Sequence, residues 1–172
     1  MNKCIFLDRD GVLNQDLEGY LFQPELIRFP EGVKEGLLEL KKAGYLLVVI
    51  TNQAGIAKGL YTAAEVNAMH RRMNDEYGGV LDDIYFAPHH NDYTTRSLSR
   101  KPGSLMIERA MAKYKIDPAG SWMIGDNERD IEAGMKTGVR TIFLGKTEKQ
   151  TKAAFQVSCF QEAVAVILGN AG

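Results

Sequence analysis

Two carboxylates spaced two residues apart, Asp8 and Asp10, end an apolar run, Cys4-Ile5-Phe6-Leu7, and Gly11 follows at once. The run is too short for a helix face and reads as a buried strand. Gly11 permits a tight backbone turn after it. Carboxylates left unpaired at the end of a buried strand are costly. They make sense around a divalent cation with oxygen ligands, or around a phosphate that is attacked and protonated. Two more apolar runs end in polar, glycine-containing turns: Thr51-Asn52-Gln53-Ala54-Gly55, and Gly125-Asp126-Asn127. Lys101 stands just before Pro102.

If these ends converge, Asp8 and Asp126 can offer carboxylates to Mg2+, and the backbone carbonyl of Asp10 a third oxygen. Of Asp8 and Asp10, one can attack phosphorus while the other shuttles the proton. Thr51 and Lys101 would then stand where the transferring phosphoryl group gathers charge. Each piece also has a plainer reading. Thr51-Asn52 can be an ordinary strand-end turn, and Lys101 a surface lysine. Asp126 and Asp130 can simply complement a helix dipole. That is the reading adopted for Asp130, with a hydrogen bond orienting the Lys101 amine as the alternative. Taken together and in this order, the set points to phosphate chemistry.

The elements needed to position these residues alternate along the chain. Helices are expected over 31–43, 62–77, 103–115, 128–137 and up to about 168. The second opens with a capping box at Thr62-Ala63-Ala64-Glu65, the last with one at Ser158-Cys159-Phe160-Gln161. Val33, Leu37, Leu40 and Leu38 form the inward stripe of the first helix; Leu105, Met106, Ala110 and Met111 form that of the third. Strands are expected over 4–7, 45–50, 83–88, 122–124 and 139–144, with a short one at 26–29. The segment 89–102 lacks periodicity, a length of loop that is often functional. The segment 146–156 reads as a charged, mobile connection. Strands alternating with helices imply an α/β fold with a parallel sheet and right-handed crossovers. In such folds sites lie beyond the carboxyl ends of the strands.

At 172 residues, with 45% hydrophobic and 25% charged residues, the chain is expected to form one soluble domain over 1–172. A formal net charge of −1 gives no general attraction to nucleic acid or anionic membrane. Two cysteines, Cys4 and Cys159, make no disulfide framework. With no signal-peptide pattern and no apolar run of membrane length, a cytoplasmic protein is expected.

With its motifs Asp8-Arg9-Asp10-Gly11-Val12, Val48-Val49-Ile50-Thr51-Asn52, Lys101-Pro102 and Gly125-Asp126-Asn127-Glu128-Arg129-Asp130, the chain resembles the haloacid dehalogenase superfamily of phosphohydrolases. Within that superfamily it is similar to the D-glycero-D-manno-heptose 1,7-bisphosphate 7-phosphatases and the related histidinol-phosphatases. The closer likeness rests on Leu13-Asn14, Gly19-Tyr20, Thr51-Asn52-Gln53-Ala54-Gly55-Ile56-Ala57, Pro88-His89-His90 and Arg100-Lys101-Pro102. It spans Lys3 to about Leu144.

The resemblance implies a Rossmannoid three-layer sandwich around a central parallel sheet, without a large cap domain. It implies that Asp8 is the nucleophile, Asp10 the acid and base, and Asp8, Asp10 and Asp126 the holders of Mg2+. Thr51 and Lys101 would stabilise the phosphoryl group. Substrate contacts would fall on Asp16, Gly19, Tyr20, Asn52, Gln53, Ala54, Arg100 and Asn127, although the 16–20 loop is one residue longer than usual. Many members carry Cys-x-His and Cys-x-Cys zinc ligands around the long loop. Here Ala87, Ser97 and Ser99 stand at three of those four places, so His89 alone remains and no zinc is expected.

Without a cap, selectivity must come from loops 14–24, 55–61 and 89–100. The expected partner is a small sugar bisphosphate, in a pathway of nucleotide-activated heptose synthesis, with neither nucleic acid nor membrane involved and the protein a monomer. Histidinol phosphate is the nearest rival substrate. A polynucleotide 3′-phosphatase is disfavoured by the neutral charge. A retired, non-catalytic scaffold is disfavoured by the retention of both Asp8 and Asp10.

Overall fold

Alternation within the first strand builds a sheet covered on both faces. In β1 (Cys4–Leu7), Ile5 and Leu7 point to one side, Cys4 and Phe6 to the other, and all four are fully buried. The computed structural model describes residues 1–16, 19–146 and 150–170. After β1 the chain runs through α1 (Val33–Lys42), β2 (Leu46–Asn52), α2 (Ala63–Glu76), β3 (Asp83–Ala87) and α3 (Leu105–Tyr114). It continues through β4 (Trp122–Gly125), α4 (Glu128–Lys136), β5 (Arg140–Leu144), β6 (Phe155–Val157) and α5 (Phe160–Gly169).

The six strands pair in parallel, in the order β3-β2-β1-β4-β5-β6. Ile5, Leu7, Leu47, Val49 and Ile124 pack with Leu37 and Leu40 of α1, Met69 and Met73 of α2, and Phe160 and Val164 of α5. On the opposite face Cys4, Phe6, Val48, Ile50 and Met123 pack with Met106, Ile107 and Ala110 of α3 and Ala133 of α4. The architecture is the expected α/β three-layer sandwich, and the segments between the strands are used by the helices that cover the sheet. The order of the strands reverses between β1 and β4, so the switch point lies beside Asp8 and Asp126.

Several local expectations are corrected. The stretch 26–29 holds no strand: Pro24, fixed in φ, opens a 3-10 turn at Pro24–Leu26 instead. The capping box expected at Ser158-Cys159-Phe160-Gln161 is absent, and the helix starts one residue later. Cys159 is the N-cap of α5 and carries no side-chain cap, while Ser158 binds the carboxylate of Glu162 through its N–H at 2.8 Å and its hydroxyl at 3.0 Å. The segment 146–156 contains the start of β6, an edge strand of three residues too short to show a period; residues 147–149 lie outside the described residues. Leu38 is exposed, and buried Ile107 was missing from the stripe of α3. The Thr62–Glu65 capping box is present, with Glu65 N–H donating to Thr62 Oγ1 at 3.3 Å and Thr62 N–H to the Glu65 carboxylate at 2.7 Å. No helix among the described residues is long and apolar enough to cross a membrane.

Candidate active site

Parallel strands β1, β2 and β4 end side by side, and their ends bring Asp8, Thr51 and Asp126 together. The N–H of Asp8 donates to the Ile124 carbonyl of β4 at 3.0 Å, which fixes the first turn to its neighbour. Gly11, at φ +84°, lies against Asp126, where an added Cβ would fall 2.0 Å from a carboxylate oxygen. At Gly125 a Cβ would fall 2.2 Å from the Cβ of Asp130. These two glycines let the acidic turns of β1 and β4 approach each other.

The ammonium of Lys101 is buried between them. Its Nζ lies 2.7 Å from Asp8 Oδ1 and 2.7 Å from Asp130 Oδ1, and donates to the Ile50 carbonyl at 2.6 Å. Burial opposes its charge, but Asp130 and Asp8 more than offset that and hold it protonated. Asn52 sets its backbone: Lys101 N–H donates to Asn52 Oδ1 at 2.9 Å, and Asn52 Nδ2 donates to the Lys101 carbonyl at 3.1 Å. The surface-lysine reading is thereby excluded.

Asp130 combines the two functions weighed for it. One carboxylate oxygen pairs with Lys101, while the other accepts from Asn127 N–H at 3.1 Å and closes the capping box of α4.

Asp10 is oriented differently from Asp8. Buried Arg9 binds the Asp10 carboxylate in a fork, donating from Nε to Oδ1 at 3.1 Å and from Nη2 to Oδ2 at 3.0 Å. Asn14 Nδ2 donates to the same group at 3.0 Å and Gln53 Nε2 at 3.3 Å. Burial would raise its pKa, yet the charge of Arg9 and these hydrogen bonds prevail and hold it below the usual carboxylate range. Gln53 also donates to Thr51 Oγ1 at 3.0 Å and accepts from Tyr61 at 2.9 Å, so Thr51, Gln53, Tyr61 and Asp10 form one network.

Carboxylate oxygens of Asp8, Asp126 and Asp130 lie within 4.8 Å of one another. Burial, then the charge of Asp130, pushes Asp8 upward. The same causes, with Asp16, bring Asp126 up to about 6. Such crowding of oxygen donors, short of positive charge, suits a hard divalent cation. Since Asp130 is committed to Lys101 and its cap, Asp8 and Asp126 are the side chains left for a cation. The Asp10 carboxylate is turned to Arg9, which leaves its backbone carbonyl as the oxygen it can supply.

A cleft above these groups is lined by Asp10, Asp16, Gly19, Tyr20, Asn52, Gln53, Ala54, Arg100, Asp126 and Asn127, together with Arg9, Tyr61 and Arg129. The first ten were singled out from sequence; Glu18, also in that loop, falls outside the described residues. Asn52 and Gln53 reach the cleft with their amides already engaged by protein groups. Arg100 is held by a hydrogen bond from its Nη1 to the His89 carbonyl at 3.1 Å. In the long loop Ser97 Oγ and Ser99 Oγ are hydrogen-bonded at 2.7 Å.

Sequence reading missed Arg9, Asn14, Tyr61 and Arg129. A signal existed for Arg9, since an arginine between two acids at the end of a buried strand needs a carboxylate partner.

The fold and this arrangement of carboxylates and lysine define a hydrolase of the haloacid dehalogenase type, and a family model described as HAD-hydrolase-like matches residues 98–165. The D-glycero-beta-D-manno-heptose-1,7-bisphosphate 7-phosphatase of Haemophilus ducreyi is 40% identical over 159 residues, covering 88% of this chain and 87% of its own. The corresponding alpha enzyme of Burkholderia mallei is 38% identical over 151 residues, 83% of this chain and 79% of its own. The crystal structure of the D,D-heptose 1,7-bisphosphate phosphatase from B. bronchiseptica with magnesium and phosphate superposes with a TM-score of 0.87 at 27% identity, covering 97% of this chain and 98% of that one. The chain belongs to the family of D-glycero-manno-heptose-1,7-bisphosphate 7-phosphatases.

Proposed function

We propose that the chain hydrolyses the 7-phosphate of D-glycero-D-manno-heptose 1,7-bisphosphate through an aspartyl-phosphate on Asp8. The observation that carries this is the buried Lys101, paired at 2.7 Å with Asp8 beside a cleft lined by Asp10, Asp126 and Arg100. A carboxylate so placed has a fixed positive charge beside it, where a phosphoryl group that it attacks would gather negative charge. Mg2+ would be held by Asp8, Asp126 and the Asp10 carbonyl, and when bound would neutralise phosphoryl charge.

Asp8 attacks phosphorus, forming the O–P bond of the acyl-phosphate while the bond from phosphorus to the sugar oxygen breaks. Asp10 gives its proton to the departing alkoxide. Water then attacks the same phosphorus, Asp10 takes its proton, and the Asp8 carboxylate returns as inorganic phosphate leaves. Arg9 keeps Asp10 ionised in the resting state. The arriving phosphate dianion is the like charge that raises its affinity for a proton, which Asp10 takes up from solvent as the substrate binds and then gives to the alkoxide. Thr51, held by Gln53, and Lys101 face the oxygens of the transferring group. Arg100 grips the second phosphate, with Asp16, Gly19, Tyr20, Ala54 and Asn127 along the sugar.

A phosphate-release panel of the heptose bisphosphate, histidinol phosphate and a 3′-phosphorylated oligonucleotide tests the assignment. The expected outcome is a kcat/KM for the bisphosphate at least about tenfold above the others, a difference of about 1.4 kcal/mol in transition-state binding. A higher value for histidinol phosphate would overturn it.

A further inference from the structure

We propose that Lys58 is a positioning residue: with its ammonium over the rings of both Tyr20 and Tyr93, it ties together the three loops around the cleft and holds Tyr20 at the rim. This deepens the phosphatase reading and rests on it only for the substrate that Tyr20 meets.

Each loop brings one member. Tyr20 comes from loop 14–24, Lys58 from the turn after β2, and Tyr93 from the long loop before α3. The Lys58 Nζ lies 5.1 Å from the centroid of the Tyr20 ring and 5.4 Å from that of Tyr93. Both distances are within the reach at which the face of an aromatic ring attracts a cation.

The segments that Lys58 spans are otherwise closed on themselves. The turn after β2 is held by its own backbone, with Lys58 N–H donating to the Ala54 carbonyl at 3.2 Å and Leu60 N–H to that of Gly55 at 2.9 Å. Among the described residues, the side-chain hydrogen bonds of the long loop stay within it. His90 N–H donates to Thr94 Oγ1 at 3.1 Å, Ser97 pairs with Ser99, and Arg100 reaches the His89 carbonyl. Tyr93 is 60% exposed, so no core fixes its ring; His90, edge-on at 5.2 Å, and Lys58 do. On the other side Tyr20 lines the cleft and packs on Tyr61, 6.1 Å between centroids. Tyr61 donates to Gln53, whose amide reaches Thr51 and Asp10. With the segments between strands spent on helices that cover the sheet, these loops must hold one another. Loss of Lys58 would therefore loosen the rim and leave the groups at the reacting phosphorus in place.

Hydrogen–deuterium exchange of the unliganded chain reads the tie directly. In Lys58→Met, which keeps an unbranched side chain and removes the charge, segments 19–24 and 89–100 should exchange about tenfold faster. Lys58→Arg, whose guanidinium also binds ring faces, should restore the protection. On the substrate preferred in the turnover panel, Lys58→Met should raise KM about tenfold with kcat nearly unchanged. A small aryl phosphate, which has no sugar for Tyr20 to meet, should keep its KM. Tyr93→Leu should copy Lys58→Met, Tyr93→Phe should behave as the parent, and the double variant Lys58→Met/Tyr93→Leu should lose no more than either single one. Unchanged exchange in Lys58→Met, an equal rise in KM for the aryl phosphate, or losses that add in the double variant would overturn the proposal. So would a raised KM in Lys58→Met with Tyr93→Leu like the parent, which would make Lys58 a direct ligand of the substrate. Exchange needs no substrate, so a failed heptose assignment registers only in the turnover panel and leaves this test intact.

Discussion

Asp8 and Asp10 carry the same functional group two residues apart, and their surroundings divide the labour. Asp8 faces the buried Lys101 amine, while Asp10 is held by Arg9, Asn14 and Gln53. Asp8→Asn is therefore expected to abolish phosphate release, because an amide cannot form the acyl-phosphate. Asp10→Asn should bind substrate but lose about 10²–10⁴-fold in kcat, the usual worth of a positioned proton donor. Single-turnover trapping of phosphoenzyme checks both, and near-wild-type turnover in Asp8→Asn would remove the covalent route. These acids were legible in the sequence because they end apolar runs where a carboxylate has no structural use. Arg9 was open to the same reasoning, as an arginine beside the acid it pairs with; Tyr61 was not, since its contact with the Asp10 network through Gln53 depends on how two separate turns fold over each other. Asp130 was legible only in part: its spacing announces a helix start but does not reveal that its second oxygen reaches Lys101.

At the scale of elements, the end of β2 and the segment leading into α3 act as one piece. Asn52 clamps the Lys101 backbone with two hydrogen bonds, while the neighbouring Arg100 lines the cleft. Asn52→Ala leaves two buried backbone groups without partners and should cost about 1–3 kcal/mol of stability. It should also lower kcat/KM on a bisphosphate and a monophosphate alike, because Lys101 serves the shared phosphoryl group. Arg100→Ala should instead depress kcat/KM chiefly for the bisphosphate, by about tenfold or more; equal losses on both substrates would contradict its place at the second phosphate. Strand and helix order could be read from apolar runs and caps, as at Thr62. The elements missed were β6, the 3-10 turn and the α5 cap. Each is a short piece whose form is set by its neighbours rather than by any period of its own.

For the molecule as a whole, the reversal of strand order between β1 and β4 gathers two buried acids, Asp8 and Asp130, and the half-buried Asp126 near one lysine, and this charge imbalance is felt in folding. The pKa of Asp126 rises from an ordinary 3.8 to about 6. A carboxyl raised in this way stabilises the metal-free fold fully below pH 3.8, and the contribution is lost as pH climbs through about 6. Asp8 shifts in the same direction. Mg2+ requires ionised ligands, so its binding should strengthen over the same range. Thermal melts with and without Mg2+ should accordingly show a small rise in Tm at pH 5 and a larger one at pH 7.5. A Tm shift independent of pH would mean that the cation does not bind at these carboxylates.

The serine pair in the long loop has a consequence for chemical durability. A loop tied by thiols is open to peroxide, which converts sulfur step by step to acids that no longer hold the tie. Ser97 and Ser99 make theirs with two hydroxyls, and no sulfur lines the cleft that Arg100 borders. Of the two cysteines, Cys4 is sealed inside the sheet, while Cys159 is exposed at the start of α5. Oxidants should therefore mark this protein at Cys159 and at the exposed Met1 and Met135 while leaving the loop that carries Arg100 and Lys101 as it was.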